Sequence, residues 1–512
     1  MWLAECVTTH VPCSLAEKVR KLERAHFTPR RLLNLYTKGT HTYIKLLSNT
    51  KALDPPPVYM TLSHCWGQNQ PLMLEKNSLS LLKGVIPLKD LPRTYADAVV
   101  ITLRMGCQYL WIDSLCIVQD SAEDWEAAVQ EMGNIYRFSS CNIAALDACD
   151  AMEGCFSTRI PHVVSHCAAK VGGRIYHAKF RGWGNATSER ILAPRTIGFG
   201  ASALTWECLQ GQGNEINRGF TRDAIDDFKQ ALHQNQGFEQ DLVINNQDEA
   251  PYPMSATDYH FRSPLTGHIW HRILERYTAS QLTFRADRWA AISGVARAIQ
   301  SLTGCSLLAG MWRENMLCDL AWAVESCGSM IDNSFPSWSW VSVDATLLNW
   351  HPNEKDEVVY SIMSLPEIPE DHLKAGVRRP VMPITLRGPL RRMTVYKRDP
   401  MDQPELESVP MTAFGKFLIS ARYDRDRSYH SEEKPSRTIC ALLQYCRCRY
   451  DDLLSPDARF RKDHYFGMLV TPASSQEGCW KRIGSFNDSI HEGDKGKLTP
   501  EWFGPVEDIV VI

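Results

Sequence analysis

Between Tyr59 and Asp147 short apolar runs alternate with amphipathic stretches, and this pattern restricts the fold more than any other feature of the sequence. Tyr59-Met-Thr-Leu-Ser-His64 is an apolar run that breaks at Cys65-Trp-Gly67. Asp90-Leu-Pro-Arg93 carries the signals of a helix start, an acid at the positive end and a proline in the first turn. Leu91, Tyr95, Ala98, Val99, Thr102 and Leu103 then recur at helical spacing until Gly106, placed as a C-terminal capping glycine. Tyr109-Leu-Trp-Ile-Asp113 reads as a buried strand. Ser121-Ala-Glu-Asp124 has the form of a capping box, and Trp125, Ala128, Met132, Ile135 and Tyr136 mark one face of a second helix. Cys141-Asn-Ile-Ala-Ala-Leu146 is a third strand. Continuous apolar strands separated by amphipathic helices predict a parallel sheet covered on both faces.

The 512 residues exceed what one hydrophobic core holds, so further domains are expected. Residues 1–54 read as a lead-in, with Arg30–Leu35 and Tyr43–Leu47 as short pieces packing on the sheet edge. The α/β domain spans 55–210 and ends on a strand at Ala203–Cys208. Residues 211–260 lose periodicity and are rich in Asn, Gln and Asp, predicting a solvated insert. A helical block follows over 261–345, centred on Thr266–Leu302, and a β-rich region over 346–512. The expected fold class is therefore an α/β parallel-sheet domain followed by a mixed helical and β-rich C-terminal region.

Composition excludes some partners. A formal net charge of -3 gives no electrostatic reason to expect nucleic acid or an anionic membrane. No apolar run approaches the length of a membrane span, and the first residues lack a signal-peptide core. Seventeen cysteines in such a chain predict mostly reduced, buried thiols and a cytoplasmic location.

The common catalytic signatures are absent: no phosphate-loop motif, no His-Glu-x-x-His and no Gly-x-Ser-x-Gly. Gly198-Phe-Gly200-Ala-Ser-Ala203 imitates a dinucleotide fingerprint, yet it precedes a strand rather than a helix. Cys440, Cys446, Cys448 and His464 fit no common zinc module, so neither a metal nor a resident cofactor is expected. His64 and Cys65 are adjacent on a strand and point to opposite faces, which argues against a Cys–His dyad.

Ligands of open α/β sheets sit at the carboxyl ends of the strands. Those ends carry Ser63 and Trp66, then Asp113, Ser114 and Cys116, then Asp147. An acid closing a buried strand, Asp113, is either functional or a cap for neighbouring backbone N–H groups. Cys116 is a candidate nucleophile against the plainer reading of a packing residue. Ser63, Trp66, Gly67 and Arg195 are the candidate binding residues.

Together the runs Tyr59–Gly67, Leu91-Pro-Arg-Thr-Tyr-Ala-Asp-Ala98 and Tyr109–Asp120, with Trp125, Met132 and Ile135-Tyr136, closely resemble the fungal heterokaryon-incompatibility (HET) domain. Similar landmarks continue in Ala291–Ala296, Leu308–Trp312, Pro336–Trp340 and Arg482–Gly484. The resemblance implies a fungal protein with a fold similar to Toll/interleukin-1 receptor (TIR) domains, of the flavodoxin-like parallel type. It also implies nonself recognition and triggered cell death, through self-association of the α/β domain or a protein partner. The alternative is an enzyme working at the strand ends, either an NAD glycohydrolase or a tailoring protein of a secondary-metabolite cluster. For NAD cleavage the resemblance nominates Glu189 as the catalytic acid. The family pattern runs Arg-Gly/Ala-Trp, two residues, then Gln-Glu-Arg; here Gly184–Ser188 follows Arg181-Gly-Trp183, so the glutamine is missing and two residues are added before Glu189-Arg190. The expectation is that Glu189 is displaced and NAD cleavage is weak.

Overall fold

A computed structural model describes residues 2–24, 27–67, 72–157, 168–171, 174–177, 187–201, 203–215, 220–222, 224–234, 265–280, 288–325, 329–330, 335–349, 357–367, 382–396, 405–408, 418–423, 439–446, 462–474, 476–491 and 504–512. The chain divides into two compact units. The first holds Met1–Leu242 and Ser280–Thr303, and the second most of the remainder.

In chain order the first unit opens with helices α1 (Trp2–Thr9) and α2 (Val11–Arg24) and the hairpin β1 (Leu32–Lys38) and β2 (His41–Leu47). It continues with β3 (Tyr59–Ser63), α3 (Leu79–Lys83), β4 (Ile86–Pro87), α4 (Arg93–Arg104), β5 (Tyr109–Ile112), α5 (Asp113–Cys116), α6 (Ala122–Phe138) and β6 (Asn142–Ala145). A small hairpin, β7 (Ala168–Val171) and β8 (Arg174–His177), precedes α7 (Thr187–Leu192), β9 (Thr196–Phe199), β10 (Leu204–Cys208), β11 (Gly211–Asn214) and α8 (Ala224–Gln234). Helix α9 (Trp270–Thr278) belongs to the second unit, whereas α10 (Arg288–Thr303) returns to the first.

Nine strands form one sheet in the order β11-β10-β9-β6-β3-β5-β1-β2-β4. The central four, β9, β6, β3 and β5, run parallel. Counted along the chain their spatial order is 2-1-3-4, so the chain steps from β3 to one side and then back across to the other. Right-handed crossovers in this order put α4 and α6 on opposite faces, and the carboxyl ends of β3 and β6, where the order reverses, are the place where sheets of this kind form a ligand crevice. The expected parallel sheet is thus the core of a larger mixed one, flanked by antiparallel pairs at both edges.

The lead-in is part of that sheet: Leu33 and Asn34 of β1 pair with Leu110 and Tyr109. The stretch expected to be a solvated insert also contributes β11 and α8, whose Ile225, Phe228, Leu232 and His233 are buried. Helix α8 buries the charge of Lys229 against a partner. The Lys229 ammonium donates to Glu207 Oε1 (2.7 Å) and to the Arg190 carbonyl (2.9 Å), and Arg190 lies 3.0 Å from the other Glu207 oxygen. Residues 235–264 lie outside the described residues.

Ser121 caps α6 as expected, its hydroxyl accepting the Asp124 N–H. The Asp124 carboxylate does not complete the box. It accepts two bonds from the Arg31 guanidinium (2.6 and 2.9 Å) and one from the Val118 N–H (2.8 Å), tying the start of α6 to the approach to β1. Helices α6 and α10 meet at two glycines, where a Cβ on Gly294 would stand 3.2 Å from Gly133 Cα. Arg297 fixes the crossing by donating to the Val129 and Gln130 carbonyls.

In the second unit six strands close a circuit: 384–396, 405–408, 418–423, 479–491, 462–472 and 439–446, the last pairing back to the first. The expected β-rich region is therefore a barrel, a closure that removes exposed strand edges. Trp338 and Trp340 occupy a turn and both are buried. Their indole N–H groups donate to the Met382 and Gly310 carbonyls, which lets two polar-edged rings enter a core. Arg482 stacks 3.6 Å over Trp322 and donates to the Leu320 and Trp322 carbonyls. Of the set Cys440, Cys446, Cys448 and His464, Cys448 lies outside the described residues.

Candidate active site

The crevice is built from the last residues of β3 outward. Strand alternation sends Ser63 toward α6 and His64 toward α4. On the α6 side the Thr61 and Ser63 hydroxyls both donate to Asn142 Oδ1 on neighbouring β6 (2.9 and 3.1 Å), while Asn142 Nδ2 is buried without a hydrogen-bond partner. Tyr136, from α6, sits edge-on to Trp111 and reaches Ser63. Burial raises the Tyr136 phenol well above its usual range, and the negative charges of Glu189 and Asp113 add to the rise.

On the α4 side the imidazole of His64 is fully covered. Its Nε2 is 3.2 Å from the Tyr95 hydroxyl, which is 2.8 Å from Ser114 Oγ, and its Nδ1 is 3.9 Å from Asp113 Oδ1. Burial lowers the His64 pKa, partly opposed by Asp113, so the ring is neutral at physiological pH. The Tyr95 phenol is moved above its usual range by burial.

Asp113 joins the two sides. Its Oδ2 accepts the Trp66 indole N–H (2.7 Å) and its Oδ1 the Ser114 N–H (2.7 Å), while about a quarter of the side chain (26%) stays open to solvent. The capping role is therefore real, and part of the side chain remains exposed. Gly67 must be glycine: its φ is +63°, and a Cβ there would lie 2.5 Å from the Asp150 Cβ and 2.7 Å from the Cys149 carbonyl. That contact fixes the loop carrying Trp66 against the loop leaving β6. Asp147, at the end of β6, accepts the Ala201 N–H and holds the loop after β9.

Glu189 enters from the first turn of α7. Its Oε2 is buried with no hydrogen-bond partner. Burial pushes the carboxyl from 4.5 up to about 7, with the Asp113 charge contributing. Glu189, Tyr136 and Asp113 thus lie within electrostatic reach of one another, despite the lengthened link that precedes the helix. Residues 181–186 of that link lie outside the described residues.

Two sequence candidates fall away from this centre. Cys116 is buried, and desolvation pushes its thiol up to about 12, where almost no thiolate exists to attack. Arg195 lies just before β9, at the opposite end of the sheet. It donates to Cys6 Sγ, to the Ser140 carbonyl and toward Glu17, all on the amino-terminal side of β6. Its position before the strand, rather than after it, was the available signal. Tyr95 and Tyr136 are site members that periodicity hid, because aromatic hydroxyls on a helical face read as core, and His64 was weighed in sequence only as a partner of Cys65. A surface cavity of about 360 Å³ among Arg30, Arg31, Lys51 and Lys83 contains none of the crevice side chains.

The strand ends of an α/β domain thus bring together a neutral histidine, a bonded aspartate and a glutamate with one covered carboxyl oxygen. The segment that builds it is also recognisable by family: residues 59–193 match the heterokaryon incompatibility protein (HET) model. The chain therefore carries a HET domain, over about a quarter of its length. The match begins at the first residue of β3 and ends just after α7, so it contains every crevice residue and stops short of Arg195. No curated protein and no solved structure matches the chain. No helix among the described residues is long and apolar enough to cross a membrane.

Proposed function

We propose that this chain is an effector of the heterokaryon-incompatibility type, acting in nonself recognition and cell death in the cytoplasm through the crevice of its HET domain. Glu189 carries the reading. A buried carboxyl whose proton leaves near pH 7 is suited to proton transfer, and Asp113 and Tyr136 beside it supply a polar surround. The 2-1-3-4 strand order supports the TIR-like reading, and with it NAD as substrate. In that reaction the bond between the ribose C1′ and the nicotinamide nitrogen breaks and its electron pair leaves with nicotinamide. The Glu189 carboxylate stabilises the oxocarbenium centre, and water adds at C1′ while passing its proton to that carboxylate, which later releases it to solvent. The lengthened link before Glu189 argues for weak cleavage, whereas the charged and phenolic groups around its carboxyl favour turnover. Self-association of HET domains would trigger the response.

The test pairs chemistry with phenotype. Purified full-length protein is incubated with NAD and nicotinamide release is followed, while the same chain is expressed in a filamentous fungal host. The proposal expects turnover and slowed growth, both lost in Glu189→Gln. Growth arrest that needs Glu189 without NAD loss would keep the effector and discard the substrate. Harmless expression at verified protein levels would refute the effector reading.

A further inference from the structure

At the opposite end of the sheet from the crevice, four side chains converge that the HET-domain reading does not use. Cys6 lies on α1, His10 in the link between α1 and α2, Cys13 in the first turn of α2, and Cys208 at the end of β10. All four are buried, and their ligand atoms lie within 4.8 Å of one another. The Cys208 sulfur is 3.4 Å from His10 Nδ1. We propose that Cys6, His10, Cys13 and Cys208 form a structural zinc site that clamps the N-terminal helix pair to the sheet.

The geometry fits this ion. Zinc–sulfur distances of about 2.3 Å and zinc–nitrogen distances of about 2.0–2.1 Å place the donors of a tetrahedron roughly 3.4–3.8 Å apart. The Cys208–His10 separation already equals such an edge. Three sulfurs and one imidazole select zinc over magnesium or calcium, which prefer oxygen donors. Four protein ligands leave no open position, so the role is structural rather than catalytic.

The surroundings supply an outer shell. The buried Arg195 guanidinium donates to Cys6 Sγ (3.2 Å) and is itself held by the Ser140 carbonyl (3.2 Å). A divalent ion with three thiolates carries one net negative charge, and Arg195 sits where that charge would otherwise be buried uncompensated. This assigns Arg195 a place in the fold that the crevice does not. The Phe220 ring meets the His10 imidazole edge-on at 5.1 Å and covers it. The site also joins segments about 200 residues apart in sequence. Cys6-x-x-x-His10-x-x-Cys13 has ligand-like spacing, but its fourth member is so distant that no local motif displays it.

Zinc in the untagged full-length protein, measured by plasma mass spectrometry after dialysis, should be about one per chain. Cys208→Ser and Cys13→Ser should each lower it to near zero, while Cys149→Ser, at an exposed cysteine, leaves it unchanged. In case those variants fail to fold, cobalt exchange into wild-type protein provides a second reading. Intense visible bands of tetrahedral cobalt with thiolate charge transfer support the site. Folded wild-type protein without zinc or cobalt uptake, zinc retained in Cys208→Ser, or a disulfide between any two of the three cysteines would overturn it.

Discussion

Replacing Glu189 by glutamine tests the physical claim beneath the proposed function, because it removes a titrating proton from a nearly unchanged shape. Burial raises the carboxyl from 4.5 to about 7. At about 1.4 kcal/mol per pH unit, holding it ionised in the folded protein costs about 3 kcal/mol. The folded chain binds this proton more tightly than the unfolded chain does. Below about pH 4.5 both forms are protonated and nothing is lost. Stability then falls between about pH 4.5 and 7, and above that the cost is complete. Glutamine does not titrate, and any penalty from its buried amide is the same at every pH. The quantity to follow is therefore the melting temperature of Glu189→Gln minus that of wild type, across about pH 4 to 8. At about 2–4 °C per kcal/mol it should rise by roughly 6–12 °C, with most of the change below about pH 7. Calorimetry of the full chain reads this in the transition of the unit that carries the crevice. A difference that stays flat with pH, or that falls as pH rises, would refute the buried, near-neutral carboxyl.

Asp113→Asn can keep only one of the bonds from the Trp66 indole and the Ser114 N–H, so a loss of about 1–2 kcal/mol is expected in melts. Growth arrest and NAD turnover should fall far more than the folded fraction does; a strictly proportional fall would return Asp113 to a capping role. Leu110→Asp puts a carboxylate on a fully buried β5 position between β1 and β3. A cost on the order of 4 kcal/mol or more should leave the full-length protein insoluble and inactive, as solubility and growth assays would record. Lys229→Met strips the ammonium from Glu207 inside the protein and should cost about 3–5 kcal/mol by urea unfolding. A neutral result there would mean that Arg190 alone satisfies the carboxylate.

The sequence by itself determined the local elements of the HET domain. Ser121, Gly106 and the 3.6-residue spacing of Tyr95, Ala98 and Val99 set helix ends and buried faces through short-range chemistry. The alternation after Tyr59 likewise separated Ser63 from His64. The same patterns located Asp113 and Ser63 at strand ends, where a doubly wound sheet binds its ligands. Other features depended on residues far apart in the chain. Only the tertiary structure set β1 beside β5, because strand pairing is chosen by contacts that local periodicity does not encode. It alone made Tyr95 and Tyr136 site members, since a tyrosine on an amphipathic face looks the same whether its hydroxyl meets a core carbonyl or, as in Tyr95, the His64 imidazole and the Ser114 hydroxyl. Lys229 looked solvated until its partner Glu207 was brought to it. Glu189 was doubtful by spacing, and what decides its chemistry is the dielectric around it, which exists only once α7 has packed against α6 and β6. Arg195 moved the other way: its charge pointed to a ligand, and folding placed it at the amino-terminal end of the sheet, facing Cys6.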